Sequence, residues 1–178
     1  ENDSIMQTDE APDASAWSIH SNVHKSLPKA RVILHVHSTY ATVLSTLKDP
    51  RILPLDNNTA RFYERIAYDT NFGGIATDNK EGKRITDTLA GKKALMMGNH
   101  GITVVGETIA EAFEDLYYLE KACKTMVLAY STGQHLNVLP HTLALETAES
   151  WDEFRGQSYA HFEQLKCMLD KKGSTYKE

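Results

Sequence analysis

The sequence has little cysteine, little proline and no long apolar run, and each shortage closes off a class of protein. Two cysteines, Cys123 and Cys167, stand far apart among 178 residues. That is too few for a disulfide-stapled scaffold, so both read as reduced thiols in helical segments. No stretch approaches the roughly 20 apolar residues that span a bilayer, and no basic-then-apolar leader opens the chain. Lys and Arg number 19 against 24 Asp and Glu, a net charge of −5 without long runs of one sign. A nucleic-acid or anionic-membrane surface needs a basic patch, so neither partner is expected. The remaining class is a soluble, cytoplasmic protein, and 41% hydrophobic residues supply the core of one domain. Residues 1–14 carry five acidic residues and one proline; they show no sustained periodicity and read as a flexible segment ahead of a single domain over 15–178.

Histidine is what the chain does have, and three of its histidines fall at strand ends. Residues 31–37, Arg-Val-Ile-Leu-His-Val-His, are β-branched and apolar enough for a buried strand. Alternation then puts His35 and His37 on one face, with Val36 on the other. A second buried strand over 93–97 leads to Asn99-His100-Gly101, where Gly101 permits a tight turn into a third strand over 102–105. Three neutral imidazoles leave one coordination position open, which suits a catalytic metal site of the zinc type.

The rest of the chain supplies the helices around these strands. Residues 15–27 read as a helix with Ser15 as N-cap and Ile19, Val23 and Leu27 on one face. His20 and His24 share a side of it. The glutamate of a His-Glu-x-x-His metal motif is replaced by Ser21, so His20 is expected to support the metal site by a hydrogen bond and His24 to be partly exposed or buried. Residues 39–48 read as a helix burying Ala41, Leu44 and Leu47. Asp56, Asn57 and Asn58 form a polar loop cluster. Gly73-Gly74 marks a turn or a place where backbone comes close to another group. Residues 79–89 form an amphipathic helix with Ile85 and Leu89 inward and Gly91 as its stop. Thr108 opens a capping box with Glu111, and Ile109, Phe113, Leu116, Cys123, Val127 and Tyr130 keep one face of a long helix ended by Gly133. Tyr117, Tyr118 and Glu120 on it read as packing and solvated groups. A linker over 136–140 precedes a C-terminal helix over 151–170, with Phe154, Phe162, Leu165 and Leu169 inward.

His35-Val-His37-Ser38 followed by 40–44, then Asn99-His100-Gly101, then Val104-Val-Gly106 and the helix from Ile109 to Glu120, together resemble the class II aldolase/adducin family. The resemblance runs over about residues 15–133. It implies a three-layer α/β/α sandwich with a mixed, mostly antiparallel sheet, assembled as a homotetramer. It also implies a divalent metal on His35, His37 and His100, most often Zn2+, with Mn2+, Co2+ or Fe2+ as other occupants, and a small-molecule substrate. Ser15 falls at a family position that contacts substrate phosphate. Catalytic members carry a glutamate as acid/base one residue after that serine, and here the position is Ala16, which can neither take nor give a proton. Family members also carry strands and a phosphate-binding loop ahead of this point.

These readings imply a metal-dependent carbon–carbon lyase acting on a hydroxy-carbonyl or keto-acid compound. Asp56 is the substitute proton carrier and Asn58 a candidate substrate contact. Two alternatives stand beside it: an adducin-like assembly domain that has lost the acid/base group, and nonheme iron redox chemistry on the same three histidines.

Overall fold

The computed structural model describes Asp9, residues 11–74 and residues 79–177. In order these form α1 (Ala14–Ser26), β1 (Val32–Val36), α2 (Thr39–Ser45), α3 (Asn57–Ala60), β2 (Ile66–Asp69) and α4 (Asn79–Leu89), then β3 (Ala94–Met97), β4 (Gly101–Gly106), α5 (Ile109–Ser131), α6 (His141–Glu153) and α7 (Gly156–Lys171). The four strands lie in the order β1-β4-β3-β2. β4 pairs antiparallel with β1 and with β3, while β2 pairs parallel with β3. The mixed, mostly antiparallel sheet that the family resemblance implies is therefore present.

Helices cover both faces, and the alternation of strand side chains explains why. On one side Ile33, Leu95 and Met97 pack with Ile19 and Val23 of α1 and Ile85 and Leu89 of α4. On the other, Met96, Ile102 and Val104 pack with Leu44 of α2 and Leu119 and Met126 of α5. All four residues of β3 are buried, so a central strand facing helices on both sides reads as a continuous apolar run. Each fully buried leucine or isoleucine contributes about 1.5–3 kcal/mol.

Several boundaries differ from those the sequence implies. Asp13, not Ser15, caps α1: its carboxylate accepts from the backbone N–H groups of Ser15 and Ala16, because an aspartate, a strong N-cap residue, stands two residues earlier. Of the segment over 1–14, residues 1–8 and 10 lie outside the described residues, and Ala14 already belongs to α1. α2 ends at Ser45, ahead of the turn into Pro50, and leaves Leu47 exposed. On α5 the buried face is Ala112, Asp115, Leu119, Ala122, Cys123 and Met126, with Ile109 and Tyr130 exposed. The C-terminal helix is two helices, α6 starting ten residues earlier than inferred, with a break at Phe154 and Arg155; Phe154 and Leu169 are exposed, as is Cys167.

A buried ionic cluster joins this C-terminal pair to the body. Arg61, following α3, donates to Asp115 at 2.8 Å, lies 3.6 Å from Glu114, and stacks 4.9 Å and 5.0 Å from the ring centres of Tyr118 and Trp151. Arg155 meets the other Asp115 oxygen at 2.9 Å, and His161 of α7 meets Glu114 at 2.5 Å. Removing one partner of such a cluster strands buried charge. Arg61→Ala is expected to lower unfolding free energy by about 3–5 kcal/mol in urea titrations. Arg51→Ala, which breaks the exposed pair with Asp49, should leave the unfolding midpoint essentially where it is in the wild type.

Candidate metal centre

The pairing of β1 with β4 builds the centre. In that register Val36 faces Ile102 and His35 faces Thr103. His35 Nδ1–H donates to the Ile102 carbonyl oxygen at 3.0 Å and approaches Thr103 Oγ1 at 3.1 Å. The Thr103 hydroxyl can give its own proton to Met97 Sδ, 3.4 Å away. A carbonyl can only accept, so the His35 proton is fixed on Nδ1 and its Nε2 presents a lone pair.

His37 continues the strand onto the same face, and His100 arrives from the β3–β4 turn. Asn99 adopts the left-handed conformation there, with φ of 54°. Its N–H donates to the Ser45 carbonyl at 3.0 Å, and the Thr42 hydroxyl reaches the His100 carbonyl at 3.4 Å, so the end of α2 holds the turn. The tight conformation thus falls on Asn99. Gly101 serves another purpose: a Cβ there would stand 2.4 Å from the Val36 carbonyl oxygen and 3.1 Å from the His37 ring. The strands can close beside His37 only because that atom is missing.

One ring nitrogen from each of His35, His37 and His100 lies within 4.8 Å of the others. His35 Nε2 and His37 Nε2 are 3.1 Å apart, a separation at which two ring nitrogens share either a proton or a cation. Two nitrogens on one tetrahedral zinc, each about 2.0–2.1 Å from it, stand roughly 3.3 Å apart. The donor set therefore fits a first-row divalent ion. Burial, with His100 and His37 close by, pushes His35 down to about 4. Burial and His37 lower His100 as well. Both rings are neutral near pH 7, the state in which imidazole binds metal.

The histidines open on a cavity of about 900 Å³ that also meets Asp13, Ser15, Ala16, Ile19, His20 and Phe72. Ser15 and Ala16 thus line the same cavity as the three histidines. His20 does too, but no hydrogen bond joins it to them among the described residues. His24 turns away, its Nδ1 2.7 Å from the Ala30 carbonyl. Asp56 caps α3, with its carboxylate on the Thr59 N–H and hydroxyl at 2.7 and 2.9 Å, and neither Asp56 nor Asn58 meets this cavity.

Sequence reasoning missed three supporting groups. Glu120 of α5 accepts from Ser38 Oγ, Tyr40 N and Ala41 N at 2.7–2.9 Å. It caps α2 from outside, one residue after His37. Arg84 bridges Asp69 at 2.6 Å and Glu81 at 2.5 Å in a second cleft bordering His100 and Phe72. Gly73 makes room for the Glu81 carboxylate, which a Cβ would meet at 2.6 Å. Asp13 is the third, and the paired carboxylate and helix start are separable from sequence only once the cap is placed.

Residues 1–127 match the model of the Class II Aldolase and Adducin N-terminal domain. The chain belongs to the class II aldolase/adducin family. It is 38% identical to a provisionally named aldolase class 2 protein of Caulobacter vibrioides, over 80% of this chain and 52% of that protein. It is 29% identical to Decarboxylase NovR of Streptomyces niveus, over 67% of this chain and 44% of the relative. The chain spans about half the length of the curated relatives it matches. Among solved structures, an aldolase II superfamily protein from Pseudomonas syringae superposes with a TM-score of 0.84 at 26% identity, covering 96% of this chain and 68% of the other. L-fuculose 1-phosphate aldolase from Glaciozyma antarctica gives 0.78 at 25% identity, over 91% and 62%. No helix among the described residues is long and apolar enough to cross a membrane.

Two predictions test the scaffold. Glu120→Ala should lower unfolding free energy by about 1.5–3 kcal/mol, since α2 loses a charged cap, and Gly101→Ala by about 1–3 kcal/mol through forced separation of the strands; urea titration reads both. A third concerns pH. His35 has a folded pKa of about 4 against 6.5 unfolded, so the unfolded chain binds the proton first and its stabilising contribution is full above about 6.5 and lost as pH falls toward 4. In chelator, stability should fall across that window, and His35→Asn should flatten the fall.

Proposed function

We propose that this chain is the metal-binding body of a carbon–carbon lyase that acts on a small compound with neighbouring oxygens, a 2-hydroxy-3-oxo acid or a hydroxy-ketone. The observation that carries this reading is the cluster of three imidazoles whose ring nitrogens lie within 4.8 Å of one another, in the lining of an open cavity. His35, His37 and His100 would hold the ion. Zn2+ suits an all-imidazole set; Mn2+, Co2+ and Fe2+ are the competing occupants. A divalent ion bound there supplies a Lewis acid for a carbonyl oxygen and a template for two adjacent oxygens.

The chain's own residues bias the reaction. Ala16 stands in the cavity where aldolases of the family place a glutamate, and it carries no proton. Retro-aldol cleavage needs a base for the hydroxyl proton, whereas loss of CO2 from a 2-hydroxy-3-oxo acid does not: the C1–C2 bond breaks, its electron pair passes into the neighbouring carbonyl as an enediolate, and a proton from water later restores the ketone. The balance therefore tips toward decarboxylase-type chemistry, in line with the name of the Streptomyces relative. Homo-oligomer formation is part of the proposal: Val43 on α2 and Leu128 on α5 expose apolar surface at 45% and 50%. The second reading, an adducin-like assembly domain, is favoured by Ala16 alone.

The test charges the full chain with Zn2+, Mn2+, Co2+ or Fe2+ and follows CO2 release from 2-hydroxy-3-oxo acids and aldehyde release from hydroxy-ketones. Turnover should vanish with chelator and in His100→Ala and persist in His24→Ala; Ala16→Glu should shift it toward aldehyde release. Bound metal without turnover on either class, with any ion, would favour the assembly reading.

A further inference from the structure

Lyase chemistry in this cavity ends with a proton placed on carbon, and the side chains that line it leave one candidate to carry that proton. Asp13 spends its carboxylate on the N–H groups of Ser15 and Ala16, and the Ser15 hydroxyl donates to the same oxygen. The Thr42 hydroxyl reaches the His100 carbonyl at 3.4 Å. His35, His37 and His100 are the candidate ligands. Asn99 brings an amide, which does not titrate. Asp56, the substitute that the sequence suggests, does not meet the cavity. His20 remains.

Its ring is uncommitted. Among the described residues His20 makes no hydrogen bond, whereas His24 on the next turn has its Nδ1 2.7 Å from the Ala30 carbonyl and His35 is held by Ile102 and Thr103. His20 follows Ala16 by four residues on α1, so the two share a face of the helix, and both line the cavity. Burial, with His24 nearby, holds the ring below the ordinary imidazole range, so it is neutral near pH 7. Charge on it also disfavours charge on His35, which places the two rings within electrostatic reach. A half-buried imidazole of this kind takes up and gives back protons at neutral pH.

We propose, resting on the lyase reading above, that His20 is the catalytic residue that carries the proton to carbon. When CO2 leaves a 2-hydroxy-3-oxo acid, the C1–C2 bond breaks and its pair passes into the neighbouring carbonyl as an enediolate. His20, holding a proton taken from water, gives it to C2. The double-bond pair of the enediolate forms the new C–H bond, and the ketone returns. The ring is then neutral and takes its next proton from water. In the reverse direction the neutral ring removes one hydrogen of the hydroxymethyl group as a proton. His20 meets the cavity from α1 alone, so it serves one face of the enediolate.

Hydroxyacetone in D2O tests the proton step apart from the loss of CO2. Proton NMR follows deuterium entering its hydroxymethyl group on the zinc-loaded full chain, with metal content measured on the same samples. The wild type should exchange one hydrogen of that carbon in preference to the other and leave a monodeuterated product of one configuration. His20→Gln and His20→Ala should keep their metal and lose about 100-fold or more of the exchange rate; the amide of Gln restores hydrogen bonding but cannot take a proton, so a merely structural role would survive in it. Hydroxyacetone should also shift the ring-nitrogen resonances of His20 in the loaded wild type. Wild-type exchange rates in metal-loaded His20→Gln, equal exchange of both hydrogens in the wild type, or a His20 ring that does not respond overturns the proposal and leaves the lyase reading standing. A loaded wild type that exchanges no faster than free Zn2+, or a chain that takes up no metal, overturns both.

Discussion

A slip of one residue between β1 and β4 would dismantle the centre, because side chains alternate along a strand and every one would change face. In the observed register His35 lies across from Thr103 and shares the face packed by α1 and α4. His37 follows beside Gly101, and the turn that carries His100 closes against the same strand end. Register is secured from both sides of the sheet: Ile33 is buried with α1 and α4, and Ile102 and Val104 with α2 and α5. Shifting β1 would bring its polar histidines into an apolar layer and Val36 out of it. The packing that stabilises the sheet thus also selects the geometry of the three imidazoles.

Around that register burial holds His35 and His100 below the ordinary imidazole range, and the cavity they line is mostly apolar. Buried acids are paired with arginines: Glu114 and Asp115 with Arg61 and Arg155 at the C-terminal helices, and Asp69 with Arg84 in the cleft that borders His100. Glu120 spends its carboxylate on the start of α2. Asp13 is the carboxylate facing the cavity, and it is turned onto the first N–H groups of α1. At the same helix start Ala16 carries no group that can take or give a proton.

Much of this was legible in the sequence, for physical reasons. His-Val-His in a β-branched run fixes two rings on one face whatever the tertiary structure, and α4 has the bounds its amphipathic period implies. Gly73-Gly74 was read as either a turn or a close approach, and each glycine takes one role: Gly74 has φ of 83°, while Gly73 makes room for Glu81. The misses arise where long-range contact overrides local pattern. Glu120 has the spacing of a solvated helix residue, and only the crossing of α5 over α2 makes it a cap. Asp56 has the look of a free loop carboxylate, yet Thr59 three residues on draws it into a capping box. The C-terminal helix pair hides its break because no proline or glycine precedes Phe154, and its buried anchor, Arg61, comes from a distant part of the chain.

The central claim is that three histidines from two strand ends hold one metal ion, and bound metal per chain tests it most directly. Inductively coupled plasma mass spectrometry would be applied to the wild type beside His35→Ala and His37→Ala, each purified without chelator or histidine tag. About one divalent ion per wild-type chain, lost in both variants, is the predicted result. A wild type that stays metal-free under replete conditions, or variants that keep their metal, would contradict it.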